Sequence, residues 1–362
     1  MIELKIRNSL DERKLSKNEK KELSKSLTEI KRAGRRTINN CCLCGKEFTS
    51  YCNSHSIPRF DLRQISKNGK IIIGHNFSKN PITEKYGISN ALTFKCICEN
   101  CDHTFFKEYE DPKIFERTLS NIAINEIATK INLKHYYKRF EEENIFLYLK
   151  DEIHKRNITD FETINFIDNK ILTTQLDLKE ARNKITKLAR HKEDTHFYVI
   201  DDFNLNYPTK LAYQGFIALT KGFTKIINDT YNYDPTYKIE VLYLCIFPYK
   251  TGTKIVLFCD DGSKRLKDFY RTYKELDLDS KLYLLNYMLL LYDEEWCVSG
   301  DFDTSVINKE TLELINQTTD ILLESDSPLK SDIDYKHLRE KLFETAFELK
   351  TDGNVYNFLK NQ

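Results

Sequence analysis

The sequence predicts an α+β fold: a short metal-stapled module followed by a larger α+β body. Three observations predict it. Two CxxC pairs, Cys41-x-x-Cys44 and Cys98-x-x-Cys101, flank a single intervening segment. They read as one closed tetrahedral zinc site, because a two-residue spacer lets both sulfurs of a pair reach the same ion. Asn68-Gly69 followed by Ile71-Ile72-Ile73 reads as a tight turn opening a β-branched strand. Beyond residue 120, hairpin patterns and helical periodicities both occur, with no internal repeat.

The elements follow in order. Residues 1–40 form a basic helical leader, with a capping box at Ser16-Lys17-Asn18-Glu19 and apolar positions Leu23, Leu27 and Ile30. Gly34-Arg35-Arg36 ends that helix, and Arg35 and Arg36 are candidate phosphate contacts, as are Lys31 and Arg32. Residues 41–120 form the zinc module, read as knuckle, strands and helix. Ala91–Cys96 is expected as a second strand, and the aromatic-rich run from Phe105 to Leu119 as a helix that Pro112 interrupts. Residues 121–362 form the body, a sensing, binding or regulatory domain. Hairpins are expected over Phe161–Thr174, around Asp168-Asn169, and over Ile239–Cys259, around Thr251-Gly252. Helices are expected over Asn121–Phe140, Leu178–Lys192, Lys210–Asn228, Leu266–Leu276, Ser280–Tyr292, Lys309–Leu323 and Ile333–Leu349.

Composition bounds the function. With 362 residues, 40% of them apolar, the chain has enough material for a real core. Residues 1–40 are polar and charged, and the longest apolar runs, Val241–Tyr249 and Tyr287–Tyr292, are too short to span a bilayer. A soluble, cytoplasmic protein is expected, in a reducing compartment where the ten cysteines favour metal ligation over disulfides. Cys245, Cys259 and Cys297 read as buried thiols. The net charge of +1 hides an asymmetry, since the first 120 residues carry 23 Lys+Arg against 15 Asp+Glu. That basic third also holds the two pairs, as a phosphate-contacting module attached to an acidic partner would. The basic run Lys179–Lys192 reads as a solvated helix face, and the 21 Tyr and 22 Phe, scattered through both kinds of element, as core.

The segment between the pairs carries Asn53-Ser54-His55-Ser56-Ile57-Pro58. A histidine inside a zinc-clamped loop is placed for chemistry, since a neutral imidazole suits proton abstraction from water near pH 7. CxxC, His-x-Ile-Pro, then a strand ending in CxxC that opens a helix resembles the zinc-bearing, treble-clef branch of the HNH endonucleases. The resemblance covers Cys41 to about Asp111, and it implies a ββα-metal fold that grips one catalytic divalent ion. It implies that Cys41, Cys44, Cys98 and Cys101 hold structural zinc. It further implies that His55 activates the attacking water and that Asp102 helps hold Mg²⁺ or Mn²⁺. The sequence departs from the pattern at Ser54, where the family often has an acid. The middle asparagine is open between Asn76 and Asn90, and His103 and Glu110 are the remaining candidates on the helix. Cys42, Cys52 and Cys96 are left over, as substitutes or core residues. Arg59 and Arg63 follow the Ile-Pro step as further candidate phosphate contacts.

The implied activity is metal-dependent hydrolysis of phosphodiester bonds in DNA, or in RNA, a layout that fits bacterial anti-phage or mobile-element defence. The alternative is an inactive zinc module that binds nucleic acid or a protein. In either case the body is expected to contact a protein partner or a second copy of the chain. It offers no defensible nucleophile–base spacing of its own among Cys245, Cys259, His191 and His196.

Overall fold

The computed structural model describes residues 17–35, 38–47, 52–74, 85–157, 159–229, 232, 234, 236–293, 296–312 and 355–360. Ser16, Arg36, His75, Asn76, most of 309–323 and all of 333–349 lie outside the described residues, as do the side chains of Leu23, Leu27 and Lys31. Helix α1 (Lys17–Gly34) leads to β1 (Ser54–His55), α2 (Arg59–Ile65), β2 (Lys70–Gly74), β3 (Lys85–Gly87), β4 (Thr93–Phe94) and α3 (Glu99–Phe105). A 3₁₀ turn at Pro112–Glu116 precedes the long helices α4 (Asn121–Lys155) and α5 (Phe161–Arg190). Then come β5 (Phe197–Leu205), β6 (Leu211–Ile217), β7 (Leu242–Tyr249), β8 (Gly252–Asp260), α6 (Leu266–Glu275), α7 (Leu278–Tyr292) and β9 (Trp296–Ser299).

Among the described residues every strand pairing is antiparallel, which makes the mixed structure α+β. The small sheet is β1–β4; the large one has seven strands in the order β3-β2-β9-β6-β7-β8-β5. Alternation along β7 shows why its run Leu242–Phe247 is apolar at every position. Leu242, Leu244 and Ile246 face a core built with α6, α7 and the segment holding Phe358 and Leu359, whereas Tyr243, Cys245 and Phe247 face α4, α5 and the cysteine-bearing segments. A sheet covered on both faces needs no polar side.

Residues 41–120 are not a separate body. Strand β2 pairs with β9 through Ile71↔Ser299, Ile72↔Val298, Ile73↔Cys297 and Gly74↔Trp296, so the expected module supplies two strands of the main sheet. Helix α2 lays Leu62 and Ile65 on that end of the sheet, against Ile71, Ile73, Ala212 and Cys297. Strand pairing across 220 residues of sequence leaves no local signal, and a boundary at residue 120 does not describe how the sheet is built. The seam is tight: a Cβ at Gly74 would stand 2.5 Å from the Trp296 ring. Gly74→Ala is therefore expected to cost about 1–3 kcal/mol by overpacking, measured as a lower urea midpoint.

Other expectations fared unevenly. The turns at Asn68-Gly69 and Thr251-Gly252 are where they were predicted, with Asn68 and Gly69 both at positive φ. Helices α6 and α7 match their predicted spans closely. The hairpin expected at Phe161–Thr174 is instead the first half of α5. Asp160 caps that helix by accepting from Thr163 N–H at 2.8 Å, and Ile167 packs on Phe146 and Ile153 of α4. Asp168, read as a turn residue, pairs with Lys150 at 2.7 Å on the surface of the two-helix arm. The arm also lengthens α4 by fifteen residues past Phe140, and Asn157 follows its end at positive φ. The helix expected over Lys210–Asn228 is strand β6 and a loop, because a strand buried on both faces shows no alternation in sequence. The strand expected at Ala91–Cys96 shrinks to Thr93–Phe94. Among the described residues no helix is long and apolar enough to cross a membrane.

Candidate functional site

The first knuckle closes on itself. Gly45 N–H donates to the Cys41 carbonyl at 2.8 Å and Cys41 N–H to the Lys46 carbonyl at 2.9 Å, with Gly45 at φ +74°, where a side chain would be strained. In the second, Cys98 is the N-cap of α3 and Cys101 lies in its first turn. Cys98 N–H points at Cys41 Sγ, 3.4 Å away, joining the two knuckles. All four sulfurs lie within 4.8 Å of one another, and Cys44 and Cys98 are 3.9 Å apart. Zinc with Zn–S bonds of about 2.3 Å holds tetrahedral sulfurs roughly 3.8 Å apart, so the four residues fit one structural ion. Burial pushes the Cys41 and Cys101 thiols up, so an ion binding there has protons to displace.

The leftover cysteines are not ligands of that cluster. Cys42 and Cys96 are buried core, tied by a 2.8 Å backbone bond from Cys42 N–H to the Cys96 carbonyl. Cys52 donates its thiol to Asp102 at 3.2 Å.

Strands β1 and β4 pair Ser54 with Phe94 and His55 with Thr93, next to α3. His55 Nε2 lies 2.8 Å from the Ile88 carbonyl. A carbonyl only accepts, so Nε2 carries the proton and Nδ1 keeps its lone pair. Burial lowers the His55 pKa, and the positive charges of Arg59 and Lys130 lower it further, against the opposing effects of the Ile88 bond and Asp102. The ring is half-buried and neutral at pH 7. Loop 88–90 is braced to this strand by a second bond, Asn53 Nδ2 to the Ser89 carbonyl at 3.0 Å.

Asp102, one turn into α3, does not face an open position. It accepts from Ser54 Oγ at 2.7 Å, from Cys52 and from Lys130 Nζ at 2.6 Å. Burial alone would raise its pKa; the Lys130 ammonium, with the hydrogen bonds from Ser54 and Cys52, outweighs that and holds the carboxyl below its ordinary value. Lys130 is 1% exposed, also reaches Glu110 at 3.1 Å, and sits 3.9 Å above the Phe106 ring. The residues expected to grip Mg²⁺ or Mn²⁺ therefore do not fit that role. Two unit charges about 4 Å apart repel by about 4 kcal/mol near a protein surface, and a divalent ion touching Asp102 would double that against Lys130. His103 is exposed on α3, and Asn90 is exposed in the turn before β4.

Arg59 and Arg63 are exposed one turn apart on α2, just beyond the His55 strand. Arg35 is exposed at the end of α1, where its charge is felt at Tyr137 of α4.

Sequence reasoning missed two residues. Lys130 lies in a helix segment, Ala123–Leu133, that is buried on every side, and each polar residue there has a dedicated partner. Nothing in the sequence signalled this: Ala123, Ile124, Ile127, Ala128 and Ile131 share one helix face and Asn125, Glu126, Thr129, Lys130 and Asn132 the other, the pattern of a helix with one solvated side. Asp61 on α2 is wholly buried, with neither carboxylate oxygen hydrogen-bonded among the described residues. Burial pushes its carboxyl well up, so the folded protein holds it protonated while the unfolded chain releases the proton above its ordinary value. This costs stability increasingly as pH rises. Asp61→Asn should raise stability by about 2 kcal/mol at pH 8 and flatten the pH dependence, measured by urea unfolding at pH 5 and pH 8.

Comparison with protein-family models finds no match. Neither the curated proteins nor the solved structures yield a significant one.

Proposed function

We propose that this chain is a nuclease of HNH type that hydrolyses phosphodiester bonds in DNA or RNA, with His55 as the general base. The observation that supports it most is the imidazole itself. It sits on the strand that pairs beside a four-cysteine cluster, held by the Ile88 carbonyl in one tautomer, with a lone pair on Nδ1 and a pKa below the ordinary value. In this reading Nδ1 takes the proton of the attacking water. Arg59 and Arg63 hold flanking phosphates, and zinc on Cys41, Cys44, Cys98 and Cys101 fixes the treble-clef frame. A role in anti-phage or mobile-element defence is consistent with a nuclease built into a larger body.

Purified protein is expected to nick plasmid DNA or cleave RNA. His55→Ala should lower the rate by about 10²–10⁴-fold with zinc content unchanged. Because the His55 pKa is lowered, the base stays unprotonated into mildly acid conditions. The acid limb of the rate–pH profile should therefore fall below pH 6.5. No cleavage of either nucleic acid under any divalent ion, or with none, ends this reading.

A second reading, a non-catalytic zinc module that binds nucleic acid or a protein, is favoured by one observation: the carboxylate expected to hold the catalytic ion is paired with Lys130. It expects salt-sensitive DNA binding without turnover and no effect of His55→Ala on that binding.

A further inference from the structure

We propose that Lys130 fills, from within the chain, the cation position that a divalent ion would occupy beside His55. The geometry is that of an occupied site. Ser54 and Asp102 stand where the resemblance places ion ligands, and Lys130 Nζ lies 2.6 Å from Asp102 Oδ1, the same oxygen that accepts from Ser54. Glu110 supplies a second carboxylate at 3.1 Å, and Phe106 presents its ring face at 3.9 Å. The ammonium is thus satisfied by two carboxylates and an aromatic face with almost no contact with water. Its charge is also felt at His55, as a site cation's would be.

Lys130 belongs to α4, the helix buried between the cysteine-bearing segments and the main sheet. The body therefore supplies part of the site and is not merely attached to it. Where the chain uses a hard cation, it uses a tethered one, and its own metal complement is a single tetrathiolate ion. Any strand cleavage then proceeds without added Mg²⁺ or Mn²⁺. The cation position is read from contacts alone; only this last consequence rests on the nuclease reading.

The test is metal stoichiometry on the full chain, with zinc by elemental analysis and bound Mn²⁺ by electron paramagnetic resonance during titration. Wild type is expected to carry one zinc and no Mn²⁺ that depends on Asp102. Lys130→Ala vacates the position next to Asp102, Glu110 and Ser54 and should gain one Mn²⁺, lost again in Lys130→Ala/Asp102→Asn. Lys130→Arg keeps a cation there and should exclude Mn²⁺ as wild type does. If Lys130→Ala fails to fold, wild type against Asp102→Asn still decides. Mn²⁺ bound by wild type and lost in Asp102→Asn overturns the inference, as does a folded Lys130→Ala that gains none. The two proposals fail separately. An inactive protein that excludes Mn²⁺ removes only the nuclease reading, and an active one with Asp102-bound Mn²⁺ removes only this one.

Discussion

Cys98→Ser should release the bound metal and unfold far more than the segment around it. Cys98 is at once a member of the sulfur cluster, the N-cap of α3 and the donor of the 3.4 Å N–H contact to Cys41. Structural zinc contributes apparent folding energies of about 10–16 kcal/mol in small fingers at neutral pH. That matches or exceeds the whole stability of a typical domain, about 5–15 kcal/mol. An independent module would melt alone and leave the body standing. Here β2 and β3 continue the main sheet through β9, and Ile57, Leu62 and Ile65 cover its end. Losing the clamp should therefore lower the melting temperature of the full chain in one cooperative transition. Elemental analysis for zinc alongside far-UV circular dichroism melting would check this. Two separate transitions, with β-sheet signal surviving the first, would show that the halves are energetically independent.

The second large effect is expected at the ion pair. Among the described residues, Lys130→Met leaves Asp102 with Ser54 and Cys52 alone, and strands Glu110 nearby. Removing one member of a buried pair typically costs about 3–5 kcal/mol, because the other charge stays behind without compensation. Asp102→Asn should cost less, since Glu110 still answers the ammonium. The double variant Lys130→Met/Asp102→Asn should be more stable than Lys130→Met alone, because a neutral amide replaces the stranded charge. Glu110 is about two-fifths exposed and contributes a smaller, salt-screened share. Urea unfolding of the four proteins in the cycle measures the coupling. A Lys130→Met cost below about 1 kcal/mol would mean the lysine reaches water and the pair is incidental.

These expectations also show where information about this protein resides. The two CxxC pairs were legible because a knuckle is a local turn: the ligand spacing is the signature, and the four sulfurs converge as that spacing required. The turns at Asn68-Gly69 and Thr251-Gly252 were legible for the same reason, the left-handed backbone at Asn68-Gly69 being a demand written into adjacent residues. The role proposed for His55 rests on its neighbours in sequence. What holds its ring, the Ile88 carbonyl 33 residues away, was not legible there.

Asp168-Asn169 looked like a turn, and the apolar spacing that makes it part of α5 gains meaning only against the Phe146 face of α4. Lys130 and Asp61 show the limit most clearly, since an unaligned sequence marks charged residues as solvent-facing. Whether they are depends on what folds over them. The sequence by itself determined the cysteine frame, the tight turns and the histidine beside them. Only the tertiary structure decided that Asp102 answers an ammonium and that residues 70–74 complete a distant sheet. Contacts between residues far apart in the chain leave no periodic trace in it, and burial, not residue type, sets what a charge must pair with.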